Sequence, residues 1–241
     1  AIRREVERRA QRALTQALRD QWRNILPENA ENMELWELEA YINQRLLEDQ
    51  QVRDAIARTV QNGVDLGVNI ALDQLGTLGM SFDYTLVNTR ARDWAQQYVG
   101  ELISQIDGTT REGVRQAVSR WYENGEPLSA LRRDLEPMFG ADRASLIAST
   151  ETTSAAANGA LQGYTESGVV EGLVWKTAND GERVCPVCGS LDGVVIGIDE
   201  RFYDALPPNI QSRVRREFKL PPAHPACRCR VSPRVVSIKQ G

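Results

Sequence analysis

The chain has 241 residues, of which 41% are hydrophobic and 26% charged, and its formal net charge is -4. This length and composition are those of an ordinary soluble protein with one large domain or two unequal ones. The most apolar window, residues 63–80, is interrupted by Asp65 and Asp73, so we expect no membrane-spanning segment and no membrane partner.

The first part of the chain predicts a series of amphipathic helices. Apolar residues recur at helical spacing over residues 2–22, residues 35–46 and residues 51–75. Pro27 interrupts the pattern between the first two helices, and residues 76–84, with two glycines, predict a loop after the third.

A break is predicted in the next helical stretch. An apolar stripe runs from Ala91 to Ile106, and Asp107-Gly108 is typical of the end of a helix. Thr109 and Glu112 have the spacing of a capping box. We therefore expect one helix to end at residue 107 and a new one to begin at Thr109.

Two further helices complete the helical part of the chain. One is expected over residues 129–139, and a longer one, rich in Ala, Ser and Thr, from Ala141 to about Ser167, with Gly168 in its C′ position. Because small side chains allow backbones to approach closely, we expect the longer helix to pack against the C-terminal unit.

After Gly168 the pattern changes to short strands. We expect strands over residues 169–175, 194–196 and 228–236, with a short helix near residues 210–218.

All four cysteines and the one histidine lie in two short clusters at the end of the chain. The first is Cys185-Pro-Val-Cys188, and the second runs from His224 through Cys227 to Cys229. Both the Cys-x-x-Cys spacing and the His-x-x-Cys spacing suit one tetrahedral zinc ion, whereas a disulfide pairing leaves the histidine unexplained.

The leading ligand set is Cys185, Cys188, His224 and Cys227, with Cys229 as the alternative ligand. Four protein ligands close a zinc site, which makes the site structural. A catalytic zinc needs an open position and a nearby base, for which Glu182 and Asp192 lie close in sequence, so an enzymatic site stays an alternative.

The predicted fold class is therefore mainly α, with a multi-helix N-terminal body followed by a small zinc-stapled α+β unit. The predicted domains are an N-terminal helical region at residues 1–90, a helical part at residues 91–168 and the α+β zinc-knuckle unit at residues 169–241.

The charge of the chain is unevenly distributed. Residues 201–241 contain nine Lys and Arg against two acidic residues, a net charge of +7, which leaves -11 for residues 1–200. A basic tail on an acidic body indicates either a negatively charged partner such as DNA or local neutralisation of a zinc–thiolate centre. The sequence leaves both alternatives open.

The order of motifs over roughly residues 90–235 resembles the phage head morphogenesis family, the minor capsid proteins that include the Mu F-like proteins. The resemblance rests on Ile147-Ala-Ser-Thr-Glu-Thr152, Asn158-Gly159, Trp175-Lys-Thr177, Asp180, Arg183-Val-Cys185-Pro-Val-Cys188, Leu191-Asp-Gly193 and Pro221-Pro-Ala-His224-Pro-Ala-Cys227-Arg-Cys229. Members of that family often carry Ser at the position of Cys229, which favours His224 and Cys227 as the second ligand pair.

The resemblance implies a role in virion assembly rather than an enzymatic one. The expected partners are the portal protein and other capsid or scaffold proteins, with double-stranded DNA as a further partner. The expected location is the virion, in the head interior or at the portal vertex, and the host cytoplasm during assembly. The alternative is a zinc-dependent hydrolase or nuclease, or a toxin-like domain, on the same scaffold.

Two further expectations concern polar and aromatic residues on the helices. Glu151 with Thr150, Thr152 and Asn158 is expected to form a polar network that ties its helix to the metal unit, rather than an active site. Trp22 and Trp36 are expected to lack a full packing partner within the chain, and residues 1–50 are therefore expected to contact the portal or another virion protein.

Overall fold

The computed structural model describes residues 2–80, 82–178 and 184–235. Within these ranges six α-helices precede the first strand. They are α1 (Ile2–Asn24), α2 (Leu35–Glu48), α3 (Gln50–Gly76), α4 (Tyr84–Asn124), α5 (Leu128–Leu135) and α6 (Ala141–Ser167).

The C-terminal part contains β1 (Val170–Lys176), α7 (Pro186–Leu191), β2 (Val195–Gly197), α8 (Pro208–Gln211) and β3 (Arg230–Val235). The three strands form one antiparallel sheet in the order β2-β1-β3. The predicted fold class, a helical body followed by a small α+β unit, is confirmed. In the described part of the chain no helix is both long and apolar enough to cross a membrane.

The chain divides into two compact units. The first consists of Ala1–Val6, Val60–Ala95 and Ser149–Gly241, and the second of Glu7–Thr59 and Gln96–Ala148. The division at residues 90 and 168 that the sequence suggests stays a prediction.

The core of the first unit surrounds the sheet. Trp175 of β1 is fully buried and meets Phe202 edge to face, with ring centroids 5.1 Å apart. Leu173 on the same strand and Tyr164 on α6 are also fully buried in this core, which includes Cys188, Cys227 and Cys229. The cysteines therefore lie in the apolar interior of the unit.

Helices α3 and α6 approach each other closely within the first unit, at glycines. A Cβ added to Gly67 would lie 2.1 Å from the carbonyl oxygen of Ala156, and one added to Gly159 would lie 2.3 Å from that of Val64. The helix rich in small residues therefore packs closely, as expected, but its glycines contact α3.

The second unit has its own core, formed by the apolar faces of its amphipathic helices. Leu14, Leu38, Ile42 and Val118 are fully buried. In the same unit Trp22 stacks on Phe139 with ring centroids 5.6 Å apart.

The predicted break at residues 107–109 is wrong, because α4 continues without interruption from Tyr84 to Asn124. The hydroxyl of Thr109 donates back to the carbonyl of Ile106 at 2.9 Å, so Thr109 acts inside the helix rather than as an N-cap. Glu112 accepts from Arg115 at 2.8 Å instead of reaching back to Thr109. Asp107 is paired with Arg53 at 2.5 Å. The side chains that the sequence pattern assigns to a helix end and a cap thus make hydrogen bonds within α4 and, for Asp107, a tertiary ion pair.

The other element predictions are confirmed with small shifts of their ends. Helix α6 begins and ends at the predicted residues, and Gly168 has φ +65, the left-handed conformation of a C′ residue. The expected helix near residues 210–218 is wrong beyond Gln211, where the chain becomes an irregular loop.

Candidate metal centre

The first pair of cysteines lies at the start of a short helix. Cys185 is the N-cap of α7, and its sulfur accepts a hydrogen bond from the backbone N–H of Cys188 at 3.3 Å. Pro186 occupies the first helical position, where the missing N–H costs nothing. This turn brings both sulfurs to the same side of α7.

The second cluster lies on a tight turn before β3. The N–H of Cys227 donates to the carbonyl of His224 at 3.1 Å, which closes a β-turn. Pro225 precedes Ala226, whose φ of 58 is unusual for a residue with a side chain. The N–H of Ala226 donates to the hydroxyl of Thr150 at 2.9 Å, a contact that holds the turn in this conformation.

The imidazole of His224 lies between the two sulfurs of the first pair. Its Nε2 atom is 3.1 Å from Sγ of Cys185 and 3.2 Å from Sγ of Cys188. Its Nδ1 atom is 2.8 Å from the carbonyl oxygen of Pro225, which can only accept. The proton therefore lies on Nδ1, and Nε2 presents a lone pair towards the sulfurs.

The described cysteines and histidine form two groups in which all ligand atoms lie within 4.8 Å of one another. One is Cys185, Cys188 and His224, and the other is Cys188, Cys227 and Cys229. Because Cys188 belongs to both groups, all five predicted ligand candidates converge on one place and lie close enough to bind a metal.

The sulfur spacing suits a tetrahedral ion. The Cys188 and Cys227 sulfurs are 3.7 Å apart. Two thiolates that bind one zinc ion at about 2.3 Å with tetrahedral angles are separated by about 3.8 Å. The donor set of soft thiols and one imidazole is the type that selects zinc among common divalent ions.

The protonation of the thiols also depends on a cation. Hydrogen bonds with Cys227 and Cys229, together with burial, raise the pKa of Cys188, whereas hydrogen bonds from Cys188 and Cys229 lower the pKa of Cys227. Neighbouring thiols cannot all ionise in an apolar interior without a compensating positive charge. A divalent cation supplies that charge when it binds.

The turn that carries the second cluster is anchored by two other segments of the same unit. The hydroxyl of Thr153 donates to the carbonyl of Cys227 at 2.6 Å and accepts from a guanidinium nitrogen of Arg3 at 2.6 Å. Arg3 also donates to the carbonyl of Arg228 at 2.7 Å.

Of the residues expected in a polar network, Thr150 contacts the turn, whereas Asn158 donates to the carbonyl of Ser154 within α6, and the buried hydroxyl of Thr152 has no hydrogen-bond partner among the described residues. The other contacts to the turn come from Thr153 and Arg3.

Sequence reasoning missed Arg3 and Thr153. The Thr-rich run of α6 was a signal for Thr153, because Thr150 and Thr153 are three residues apart and share a helix face. Arg3 carried no signal, since it lies 225 residues from the carbonyl of Arg228 that it contacts.

Asp192, one of the two carboxylates considered as a catalytic base, is not among the potential ligands that come together in the described residues. Asp192 accepts from the backbone N–H of Thr177 at 2.9 Å and from its hydroxyl at 3.0 Å. Glu182, Asp180 and Arg183 lie outside the described residues. The groups of potential ligands found in the described ranges consist of Cys and His alone.

The model of the family described as Phage Mu protein F like protein matches residues 112–232, half of the chain. The matched segment includes α5, α6, the sheet strands up to Ser232 and all five candidate ligands. No curated protein and no solved structure matches the chain.

Proposed function

The chain belongs to the family of phage Mu protein F like proteins and is a phage head morphogenesis protein, and from this membership we propose that it is a minor capsid protein of a tailed phage or prophage. It acts in prohead assembly together with the portal protein and stays in the virion, where it lies beside the packaged DNA. The family match over residues 112–232 carries the proposal.

The metal centre acts as a structural staple in this proposal, with zinc held by Cys185, Cys188, His224 and Cys227. Four protein ligands leave no open position for a substrate or a water molecule. The cluster joins α7 to the turn before β3. That turn is joined to α6 by two hydrogen bonds, one from the N–H of Ala226 to Thr150 and one from the hydroxyl of Thr153 to the carbonyl of Cys227. The metal therefore fixes two loops that hydrogen bonding alone would hold weakly.

In this proposal the N-terminal helices contact the portal, and an exposed tryptophan supports that choice. Trp36 on α2 is 69% exposed, so the prediction of an incomplete packing layer holds for this tryptophan, whereas Trp22 has Phe139 as its partner. A large exposed aromatic side chain is typical of the anchor residues of protein interfaces.

Co-expression with the portal protein of the same phage tests the proposal. Tagged portal should retain the wild-type protein through purification, and electron microscopy should show added density at the portal. Deletion of residues 1–50 is unsuitable, because it removes buried Leu14, Leu38 and Ile42.

Substitution of single exposed aromatic residues tests the site of contact with the portal without removing buried residues. Trp36→Ala should reduce retention by the portal at least tenfold, whereas Tyr84→Ala, which changes a side chain that is 47% exposed in the other unit, should leave it unchanged. Equal retention of the wild type and both variants contradicts the contact at Trp36. Absence of the wild-type protein from purified portal contradicts the partner itself.

A further inference from the structure

The segment after α8, which the sequence suggests is helical, forms an exposed basic loop in the first unit. This arginine loop comprises residues 212–219 and contains Arg213, Arg215 and Arg216, all exposed. Within the part of the chain that the structure describes, these three guanidinium groups have no hydrogen-bond or ion-pair partner. Three positively charged side chains therefore lie close together in the sequence, and no described acidic side chain neutralises them.

The acidic residue of the arginine loop and several acidic residues of the same unit are engaged by other groups. Glu217, the acidic residue of the loop itself, pairs with Arg201, which also pairs with Asp204 at 2.7 Å. Glu171 pairs with Arg234 at 3.4 Å, and Glu200 accepts from the N–H of Gly197 at 2.7 Å. These pairings leave the positive charge of the three arginines available to a ligand.

The backbone of the arginine loop is fixed to the core of the unit. The carbonyls of Phe218 and Lys219 each accept a hydrogen bond at 3.2 Å, from the N–H groups of Tyr203 and Phe202. The Phe218 ring lies 5.9 Å from that of Trp175, and Val214 is packed against the same core. The apolar side chains of the loop therefore point inward, and its arginines are presented on a fixed support.

We propose that Arg213, Arg215 and Arg216 form a binding site for the phosphate backbone of double-stranded DNA. Guanidinium groups match phosphate oxygens in geometry and charge, and desolvating an arginine costs less than desolvating a lysine. Release of condensed counterions from the duplex drives such binding without regard to base sequence.

Two observations favour duplex DNA over other polyanions. The large exposed hydrophobic side chains of the described chain include none from the arginine loop, whereas a protein interface needs an apolar centre. Single-stranded nucleic acid is bound by stacking on exposed aromatic rings, but Phe218 is partly buried against Tyr203 and Trp175. The choice of duplex DNA as ligand rests on the proposed function, in which the protein lies beside packaged DNA.

Fluorescence anisotropy with a labelled duplex of arbitrary sequence tests the site in the full chain. The variant is Arg213→Ala/Arg215→Ala/Arg216→Ala. The matched control is Arg92→Ala/Arg132→Ala/Arg133→Ala, which removes the same charge from three exposed helical positions. Circular dichroism and bound metal should be unchanged in both variants, because all six side chains are exposed.

We expect the wild type to bind the duplex at about 50 mM salt and to lose affinity steeply as salt rises. The loop variant should bind about 10–100-fold more weakly, and the slope of log affinity against log salt should fall by about 0.9 for each lost phosphate contact. The control variant should keep the wild-type slope.

Equal losses in the two variants would show a diffuse charge effect and overturn the site. Tighter binding to single-stranded DNA or to polyglutamate than to the duplex would overturn the choice of ligand. Portal retention reports on the proposed function separately, since loss of DNA binding in the loop variant should leave portal retention intact.

Discussion

The hydroxyl of Thr153 on α6 donates a hydrogen bond to the carbonyl of Cys227 at 2.6 Å, across 74 residues of sequence. Thr153 is 1% exposed, so both groups are satisfied by each other rather than by water. The same hydroxyl accepts from Arg3, which also donates to the carbonyl of Arg228. The geometry of the metal-binding turn thus depends on a side chain of the helical part of the chain.

Thr153→Val should destabilise the first unit by about 1–3 kcal/mol, because it removes, at constant side-chain volume, the hydroxyl that donates to the buried carbonyl of Cys227 and accepts from Arg3. Chemical denaturation followed by tryptophan fluorescence measures the change. Metal should also dissociate faster from the variant in a chelator competition.

Thr153→Ser is the control for that experiment, since it keeps the hydroxyl and removes one methyl group. It should retain the wild-type rate of metal loss. If Thr153→Val and Thr153→Ser lose metal at the same rate, the hydroxyl does not hold the turn.

The metal content of cysteine variants distinguishes the ligands. We expect elemental analysis of the purified protein to give about one zinc per chain, the content of a single tetrahedral site. Cys188→Ser and Cys227→Ser should lose most of the zinc and expose the segment after residue 184 to proteolysis, while much of the helical circular dichroism signal remains. Cys229→Ser should keep the zinc.

Other results would assign the ligands differently. Loss of zinc in Cys229→Ser with retention in Cys227→Ser would make Cys229 the fourth ligand. Protein that carries no metal and has oxidised cysteines would contradict the zinc proposal altogether.

The meeting of the five Cys and His residues could be predicted from the sequence, because the spacing signals that indicate it are local. The Cys-x-x-Cys and His-x-x-Cys spacings fix which atoms can meet at one ion, and Gly168 marks the end of α6 through its need for positive φ. Spacing alone could not rank Cys227 against Cys229, because two residues on a strand point the same way.

The failures of sequence reasoning occur where tertiary contacts override local signals. Thr109 and Glu112 have the residue types of a capping box, but Arg143 of α6 donates to Thr110 at 2.8 Å, and α4 continues through this segment. Residues 212–219 have a helical pattern, but Phe218 packs against Trp175 and its carbonyl accepts from Tyr203. The sequence of each segment does not identify the distant residues that contact it.

Gly67→Ala should destabilise the first unit, because the new methyl group would lie 2.1 Å from the carbonyl oxygen of Ala156, and the backbone of α6 must move to accommodate it. We expect a loss of about 1–3 kcal/mol or more in the free energy of unfolding. Gly100→Ala on α4 is the control, with nothing within 4 Å of the new Cβ.

The control should gain about 0.5–1 kcal/mol, since Ala is a better helix former than Gly and nothing opposes it. Thermal denaturation of both variants gives the comparison. A neutral Gly67→Ala variant would mean that α3 and α6 do not approach each other as closely as their backbones indicate.

Asp192 should titrate below the usual carboxyl value. Hydrogen bonds from the backbone N–H and then the hydroxyl of Thr177 lower the pKa of Asp192 from 3.8. A lowered pKa stabilises the folded state above pH 3.8, and that contribution is lost as the pH falls through the folded value. Carboxyl-carbon NMR titration of the metal-loaded protein measures the pKa directly.

Thr177→Val isolates the hydroxyl contribution to this shift. The backbone N–H remains a donor in the variant, so the pKa of Asp192 should rise part of the way towards 3.8. Thr177→Ser should leave it unchanged, because the serine hydroxyl can donate to the same oxygen. A wild-type pKa at or above 3.8 would show that these hydrogen bonds do not form in solution. Asp192, at the end of α7, would then not be linked to Thr177, which follows β1.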